Sequence, residues 1–400
     1  MRMTFNRSSQ LLLVAAGSLL AAGLVTACGT LTVDFVYVTS AKAAGPNNYG
    51  EIDVYEINRE SGKMRNIPSS PFPSGGRNPV AETVSADNAD LYVVNEDDNT
   101  IVQFVIGTDG KVYPQNTVNT PGVFPLGIAT AGKFLVVADT YQPLPSCSTA
   151  APCSGSVAVF PIATDDNLGT PVANTSISAS YWPLTLPASP TDVLTPTAIT
   201  TAASGAYVYV TAFDATAGGG YIFGFALNSD GTLSPLNGGV PFPAGTHPSA
   251  IASGPGGSLV YVTDSTKNGV LAYSASSGLL TPVAGSPFAT GNAPSAVIAD
   301  TTGHYVFVTN ALDSNLTVYT SANGALSAIG TFTTGTQPVA VGIDPSLNQY
   351  VFTANFLGNT VSGFQLNAGN GNLLNSQFSP YGANANPTAV AAIPHGKPKA

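Results

Sequence analysis

A proline recurs seven times along this chain at the start of a short segment of small and apolar residues. About thirteen residues after each of the first six prolines comes a run of aromatic and β-branched residues that ends in Asn, Asp or Ala. Successive prolines are 46, 71, 52, 46, 44 and 49 residues apart, and self-similarity at this period indicates a propeller or a solenoid. The prolines are Pro79, Pro125, Pro196, Pro248, Pro294, Pro338 and Pro387, and the runs are Leu91–Asn95, Phe134–Asp139, Val208–Ala212, Val260–Asp264, Val306–Asn310 and Val351–Asn355.

The two ends of the chain carry complementary parts of one more repeat. An apolar run, Val36–Ser40, comes first with no proline segment before it, and a proline segment, Asn386–Ile393, comes last with no apolar run after it. If these two segments pair, they complete a sheet and close a ring that has no long exposed edge. The sequence therefore predicts an all-β, seven-bladed β-propeller over residues 35–394. Its blades are four-stranded, the C-terminal strand closes the ring in blade 1, and residues 395–400 form a tail.

Every repeat has the same predicted order of strands. A short strand follows the proline, and the apolar run is a second strand that is buried between neighbouring sheets. A third strand alternates, and a fourth follows a glycine turn at the rim. The repeat between Pro125 and Pro196 is longer because it holds a cysteine loop and a second insertion, Tyr181–Pro187. Loops that follow second and fourth strands emerge on one face of a propeller, so we expect both insertions on that face.

The first 27 residues have the features of an export signal peptide. Arg2 and Arg7 are basic, and Leu11–Leu24 is apolar but too short for a comfortable membrane span. The next residues, Val-Thr-Ala-Cys, resemble the lipobox of bacterial lipoproteins, which implies cleavage before Cys28 and lipid attachment to it. An ordinary signal peptide with a coincidental cysteine is the alternative. We expect residues 28–34 to be a lipid-anchored linker, and the protein to be held to a membrane of the bacterial envelope on its periplasmic or extracellular side.

The other two cysteines, Cys147 and Cys153, lie close together in a loop rich in Pro, Ser and Ala. In an exported protein such a pair indicates a local disulfide. A metal site would need more ligands, and no histidine lies near them in the sequence. We expect the disulfide, and neither a metal nor another cofactor.

Charge is scarce and mostly negative. Charged residues make up 8% of the chain, against about 25% in typical soluble domains, and the formal net charge is −10. An acidic surface without clusters of Lys and Arg argues against nucleic acid and against electrostatic docking to anionic lipid. We expect a monomer whose only contact with the membrane is through Cys28.

The repeats resemble those of YVTN-type propellers and of the wider seven-bladed lactonase family, which includes bacterial 6-phosphogluconolactonase. The match is best in blade 2, where Leu91-Tyr92-Val93-Val94-Asn95-Glu96 is followed by Asn99-Thr100-Ile101-Val102. The resemblance implies an active site of His, Arg and Glu at the mouth of the central channel. Glu96 stands at the glutamate position, but Gly76-Arg77-Asn78-Pro79 replaces the family's Gly-Pro-Arg-His, so the expected histidine is missing.

Glu96, Arg77 and His247 are the candidate catalytic residues. Hydrolysis of a lactone needs a base or nucleophile and a cation that stabilises the oxyanion, and we expect these three side chains at the channel mouth. The alternative for His247 is that it is one member of a varied rim. Further candidates for ligand binding follow second or fourth strands: Asp97, Asp98, Tyr181, Trp182 and Asp214.

Two of these binding candidates have a second interpretation. Trp182, the only tryptophan, is either a binding contact on a long loop or a residue that plugs this loop onto the scaffold. The acidic segment Glu96–Asn99 is either a solvated turn or a cation site, although it lacks the spacing of a calcium loop.

Two functions are consistent with these features. The first is a binding scaffold in the envelope that presents loops of one face to a protein, a glycan or a small ligand, which the scarcity of titratable groups favours. The alternative is a lactonase-family hydrolase that opens a sugar lactone or a related lactone at the channel mouth, which Glu96 and the fold favour.

Overall fold

The computed structural model describes residues 32–41, 48–163 and 167–395. Regular structure there consists of 32 β-strands and two 3₁₀ turns, Asn237–Gly239 and Pro255–Gly257. The strands form seven antiparallel sheets arranged as the blades of one ring. The predicted seven-bladed β-propeller is therefore confirmed.

In chain order the strands of blades 1 to 3 are β1 (Thr32–Ser40), β2 (Glu51–Asn58), β3 (Met64–Asn66), β4 (Phe72–Pro73), β5 (Pro79–Val84), β6 (Asp90–Asn95), β7 (Thr100–Ile106), β8 (Val112–Asn119), β9 (Val123–Ala131), β10 (Phe134–Tyr141), β11 (Ser156–Pro161) and β12 (Trp182–Pro183). Those of blades 4 and 5 are β13 (Leu194–Ala202), β14 (Tyr207–Asp214), β15 (Gly220–Leu227), β16 (Leu233–Pro235), β17 (Phe242–Pro243), β18 (Pro248–Ser253), β19 (Leu259–Asp264), β20 (Gly269–Ser276), β21 (Leu279–Pro282) and β22 (Phe288–Ala289). The remaining strands are β23 (Pro294–Ala299), β24 (Tyr305–Asn310), β25 (Asn315–Ala322), β26 (Ala325–Thr333), β27 (Pro338–Ile343), β28 (Tyr350–Asn355), β29 (Thr360–Leu366), β30 (Leu373–Asn375), β31 (Tyr381–Gly382) and β32 (Pro387–Pro394).

The order of strands within a blade follows the sequence, as β5-β6-β7-β8 shows in blade 2. In five blades the repeat proline is the first residue of the inner strand, where its missing N–H removes no hydrogen bond from the ladder. The inner strands of blades 3 and 4 begin two residues earlier, at Val123 and Leu194. Four blades also have a short extra strand at the rim, β4, β17, β22 or β31, that pairs with the third strand.

The ring closes through the last strand of the chain. β32 pairs antiparallel with β1, with Val36 opposite Ala392 and Thr39 opposite Ala389. The C-terminal strand is thus the inner strand of blade 1, as the complementary ends of the sequence predicted.

The core lies between the blades, where second strands such as β6 and β19 are almost completely buried. Tyrosines on other second strands, such as β1 and β14, contact the next blade, because their hydroxyl groups donate hydrogen bonds to backbone carbonyls of its turns. Tyr37 donates to Gly110 over 3.0 Å, and Tyr209 donates to Gly278 over 2.9 Å. The blades are therefore joined by specific polar contacts as well as by apolar packing.

The inner strands lie side by side around the channel and run in the same direction. Hydroxyl groups on one inner strand donate to carbonyls at matching positions of the next, as from Thr388 to Pro79 and from Ser249 to Pro294. All inner strands therefore begin on one face, called the upper face here, and second strands end there. The mouth denotes the residues of the upper face that lie just before the inner strands or just after the second strands.

The predicted signal peptide (1–27) and Cys28 lie outside the described residues, as do 396–400 of the predicted tail. β1 begins at Thr32, within the segment predicted as a linker. Among the described residues, no helix has the length and apolar character needed to cross a membrane.

Candidate functional site

In blades 2, 3, 5 and 6 a polar residue at the end of the second strand holds the segment that leads into the inner strand. In blade 2, Ser74 donates to Asn95 over 3.2 Å and to the carbonyl of Gly76 over 2.8 Å. A Cβ atom at Gly76 would lie 2.5 Å from Cγ of Asn95, so only glycine fits there. This packing fixes the positions of the next two residues, Arg77 and Asn78, at the mouth.

Asn78 binds Glu96 through both its backbone and its side chain. Its φ is +52°, in the left-handed region that asparagine tolerates better than most residues. Nδ2 of Asn78 donates to Oε2 of Glu96 over 2.7 Å, and the backbone N–H of Glu96 donates to the carbonyl of Asn78 over 2.9 Å. The carboxyl group of Glu96 is thereby held in one orientation at the mouth.

Glu96 is half-buried, and its electrostatic surroundings favour the protonated form. Burial raises the pKa of its carboxyl group, and the negative charge of Asp97 raises it further. A carboxylate with a raised pKa is a stronger base than an ordinary glutamate. The position and the basicity of Glu96 therefore suit proton abstraction.

Arg77 is bound to the acidic turn that follows Glu96. Its Nε donates to Oδ1 of Asp98 over 2.7 Å, its Nη2 lies 2.6 Å from the same oxygen, and its backbone N–H donates to Oδ2 over 2.7 Å. Burial opposes ionisation of Asp98, but the hydrogen bonds and charge of Arg77 outweigh it and lower the pKa of that carboxyl group. The guanidinium group remains half-exposed, so it can contact a ligand while the ion pair holds it.

His247 lies on the same face but in blade 5, away from Glu96 in blade 2. Its ring stacks on Phe213, with 4.2 Å between the ring centroids, and its Nδ1 lies 3.3 Å from Oγ of Ser265. Among the described residues, no hydrogen bond or ring contact joins His247 to Arg77 or Glu96. The structure thus places Arg77 and Glu96 at the mouth of the same blade, where Arg77 pairs with Asp98 and Glu96 with Asn78, and leaves His247 in a separate cluster.

A second aromatic pair lies at the mouth in blade 3, next to the Glu96 site. Phe124 and Tyr141 are half-buried and pack edge to face, with ring centroids 6.0 Å apart. The backbone N–H of Phe124 donates to Oδ1 of Asn99, over 2.7 Å, at the end of the acidic turn of blade 2. An aromatic surface therefore adjoins the carboxylates of blade 2.

Trp182 packs in the core and is not a surface contact. Its side chain is 6% exposed and packs with Val157 and Phe223 between blades 3 and 4. β12, Trp182-Pro183, pairs with β11 as the outermost strand of blade 3. It is the counterpart of Phe72-Pro73 and Phe242-Pro243 in other blades, and this shared aromatic-proline step is the signal that identifies it in the sequence. Of the two interpretations of Trp182, the structure therefore shows the one in which this residue fixes its loop to the scaffold.

The remaining binding candidates differ in their surroundings. Asp214 is buried and accepts hydrogen bonds from the backbone N–H groups of Thr216 and Ala217, so it stabilises its own turn. Tyr181 is half-buried, and Asp97 is exposed on the acidic turn. Asp98 is occupied by Arg77, and within the described ranges no group of His, Cys, Asp and Glu is arranged to hold a metal ion. Cys147 and Cys153 form the predicted disulfide, in the loop after Tyr141.

A family model described as lactonase, seven-bladed β-propeller, matches residues 35–391. This chain belongs to that lactonase family. No curated protein sequence matches it. The lactonase-family fold recurs in solved structures: a proposed 6-phosphogluconolactonase of Bacteroides uniformis has a TM-score of 0.72 and 19% identity, over 90% of this chain and 100% of that one. The periplasmic gluconolactonase PpgL of Pseudomonas aeruginosa has a TM-score of 0.69 and 19% identity, over 90% of this chain and 99% of that one.

Within this lactonase-family chain the mouth of blade 2 departs from the pattern that the resemblance implied. Asn78 and Pro79 stand in the lead-in where arginine and histidine were expected. Sequence reasoning did not single out Asn78 as a site residue, and only the contact with Glu96 identifies it. Asn78, Glu96, Arg77 and Asp98 together form the candidate site.

Proposed function

We propose that this protein hydrolyses a lactone at the mouth of the ring, with Glu96 as the general base. The observation that supports the proposal is the half-buried carboxylate of Glu96, held by Asn78 at the mouth of blade 2, where Arg77 is paired with Asp98. Membership of the lactonase family supports the reaction class.

In the proposed reaction the ionised carboxylate of Glu96 takes a proton from a water molecule, and the water oxygen attacks the carbonyl carbon of the lactone. The negative charge that develops on the carbonyl oxygen is stabilised by Arg77. Collapse of the tetrahedral intermediate breaks the bond between the acyl carbon and the ring oxygen. Glu96 then returns the proton to the departing alkoxide, so a lactone and water give one hydroxy acid.

Glu96→Gln tests this proposal against a panel of sugar and aliphatic lactones. We expect the variant to lose at least about 100-fold in kcat, the usual contribution of a general base. Glu60→Gln makes the same chemical change at an exposed turn of blade 1 and should keep wild-type activity. Turnover that is equal in wild type and Glu96→Gln would exclude Glu96 as the base.

A binding scaffold is the second candidate function, and the aromatic pairs at the mouth favour it. Phe124 with Tyr141, and Phe213 with His247, present ring surfaces of the kind that sugars and other small ligands contact. Tyr141→Ala and His247→Ala should weaken binding to a glycan array if this function is correct.

For either function, we propose that Cys28 anchors the protein to a membrane of the cell envelope, with the periplasmic or extracellular side as its location. Loss of palmitate labelling in Cys28→Ser tests the anchor.

A further inference from the structure

One layer of side chains around the channel contains a single polar member. In every blade, the third residue after the repeat proline lies opposite an equivalent residue of the second strand. Glu82 lies opposite Val93 in blade 2, and Ile128 lies opposite Val137 in blade 3. In six blades this residue is β-branched and aliphatic, and in blade 2 it is Glu82. The six are Ile128, Ile199, Ile251, Val297, Val341 and Val390.

These aliphatic side chains fill the space towards the preceding blade. Ile128 packs against Tyr92 of blade 2, and Val297 packs against Tyr261 of blade 5. Glu82 correspondingly points from blade 2 into its contact with blade 1, beside Tyr37 and near the backbone of Ala391. This contact, called the seam here, lies next to β32, the strand that closes the ring.

The carboxyl group of Glu82 lacks the partners that a buried charge needs. Both of its oxygens are buried, and neither accepts a hydrogen bond from the described residues. The N–H of Ala391 faces the group and partly offsets its burial, without the alignment of a hydrogen bond. A buried carboxylate without a partner is strongly disfavoured, whereas the neutral acid is tolerated at much lower cost.

No cation from the described strands around the seam compensates Glu82. Blade 1 contributes Tyr37 and Glu56, and Glu56 is ion-paired with Arg65 near the rim. On the other side β6 and β7 contribute apolar residues, including Leu91, Val93 and Phe104. Asp109, whose charge also acts on Tyr37, is paired with Lys111, and β32 has no titratable side chain.

We propose that Glu82 is a neutral carboxylic acid in the folded protein, and that its ionisation in alkaline solution loosens the seam at which β32 closes the ring. The expected direction follows from proton binding. Burial raises the pKa of Glu82 from 4.5 to about 8 on folding, so between these values the folded chain holds a proton that the unfolded chain releases. Stability is therefore lost as the pH rises through this window.

The first test measures the folding equilibrium of wild type and Glu82→Val between pH 5 and pH 9. Valine restores the residue type of the other blades, so this variant should be the more stable one, and its advantage should grow with pH by up to about 1,000-fold in the equilibrium constant. Asp139→Asn is the matched control. Burial also raises the pKa of Asp139, to about 7, but this residue lies in blade 3. Parallel curves for wild type and Glu82→Val would refute the proposal.

The second test locates the effect and does not depend on a stable variant. Amide hydrogen exchange of β32 should be faster in wild type than in Glu82→Val at pH 9 and equal at pH 5, with no such difference in blade 4. The chain contains five glutamates, so ¹³C labelling of their carboxyl carbons allows Glu82 to be titrated directly and assigned with Glu82→Gln. A carboxyl group that is already ionised at pH 6 would overturn the inference.

Discussion

Asn78 shows how one side chain sets the chemistry of its neighbour. Its amide donates to Oε2 of Glu96 and therefore favours the ionised carboxylate. Burial and Asp97 act in the opposite sense and raise the pKa of Glu96. The balance of these effects should set the pH at which the proposed activity is half-maximal. We expect this pH to lie above the ordinary pKa of glutamate, and the activity to increase as the pH rises.

Asn78→Gly separates the role of the amide from that of the backbone, because glycine adopts the same positive φ without strain. We expect a lower kcat and a midpoint shifted to higher pH, since the ionised carboxylate loses a hydrogen bond. Asp97→Asn should shift the midpoint to lower pH, because it removes a negative charge that raises the pKa. Profiles of kcat/KM against pH for the three proteins measure both shifts. Coincident profiles would show that neither residue acts on Glu96.

At the scale of the element, the second strands hold adjacent blades together through tyrosine hydroxyl groups. Tyr209 is completely buried, and its hydroxyl donates to the carbonyl of Gly278 in the next blade. Removing the donor leaves a buried carbonyl without a partner, which costs about 1–2 kcal/mol. Tyr209→Phe should lower the free energy of unfolding by this amount in urea, with an unchanged m value. Tyr113→Phe, at an exposed position, is the control and should unfold like wild type.

The elements also show what the sequence could and could not predict. Proline has no N–H, so its recurrence was enough to predict where the inner strand begins in most blades. The aromatic-proline step of Trp182-Pro183 carries a similar signal, but the length of the surrounding insertion obscured it. The cluster of Asn78, Glu96, Arg77 and Asp98 could be predicted only in part, because the contact between Asn78 and Glu96 depends on a left-handed backbone conformation. His247 was placed on the correct face, but residue types alone do not give its distance around the ring.

At the scale of the whole molecule, the ring depends on its last strand. Without β32, β1 would present its buried inner edge to solvent, and unpaired edges of this kind associate with other chains. We expect deletion of residues 387–400 to give a protein that unfolds or aggregates, whereas deletion of 396–400 should leave the unfolding transition unchanged. Circular dichroism and gel filtration distinguish these results. A monomeric and cooperatively folded protein from the longer deletion would show that β32 is dispensable.

The pairing of β1 with β32 also determines how the protein responds to mechanical load. Because the two strands are antiparallel, Asp34 lies opposite Pro394, and the two ends of the chain leave the sheet at the same edge. A force that separates the two ends therefore breaks the hydrogen-bonded pairs of β1 and β32 one after another, and does not load all of them at once in shear. Tension between the two ends of the chain would therefore open the ring by separating β1 from β32.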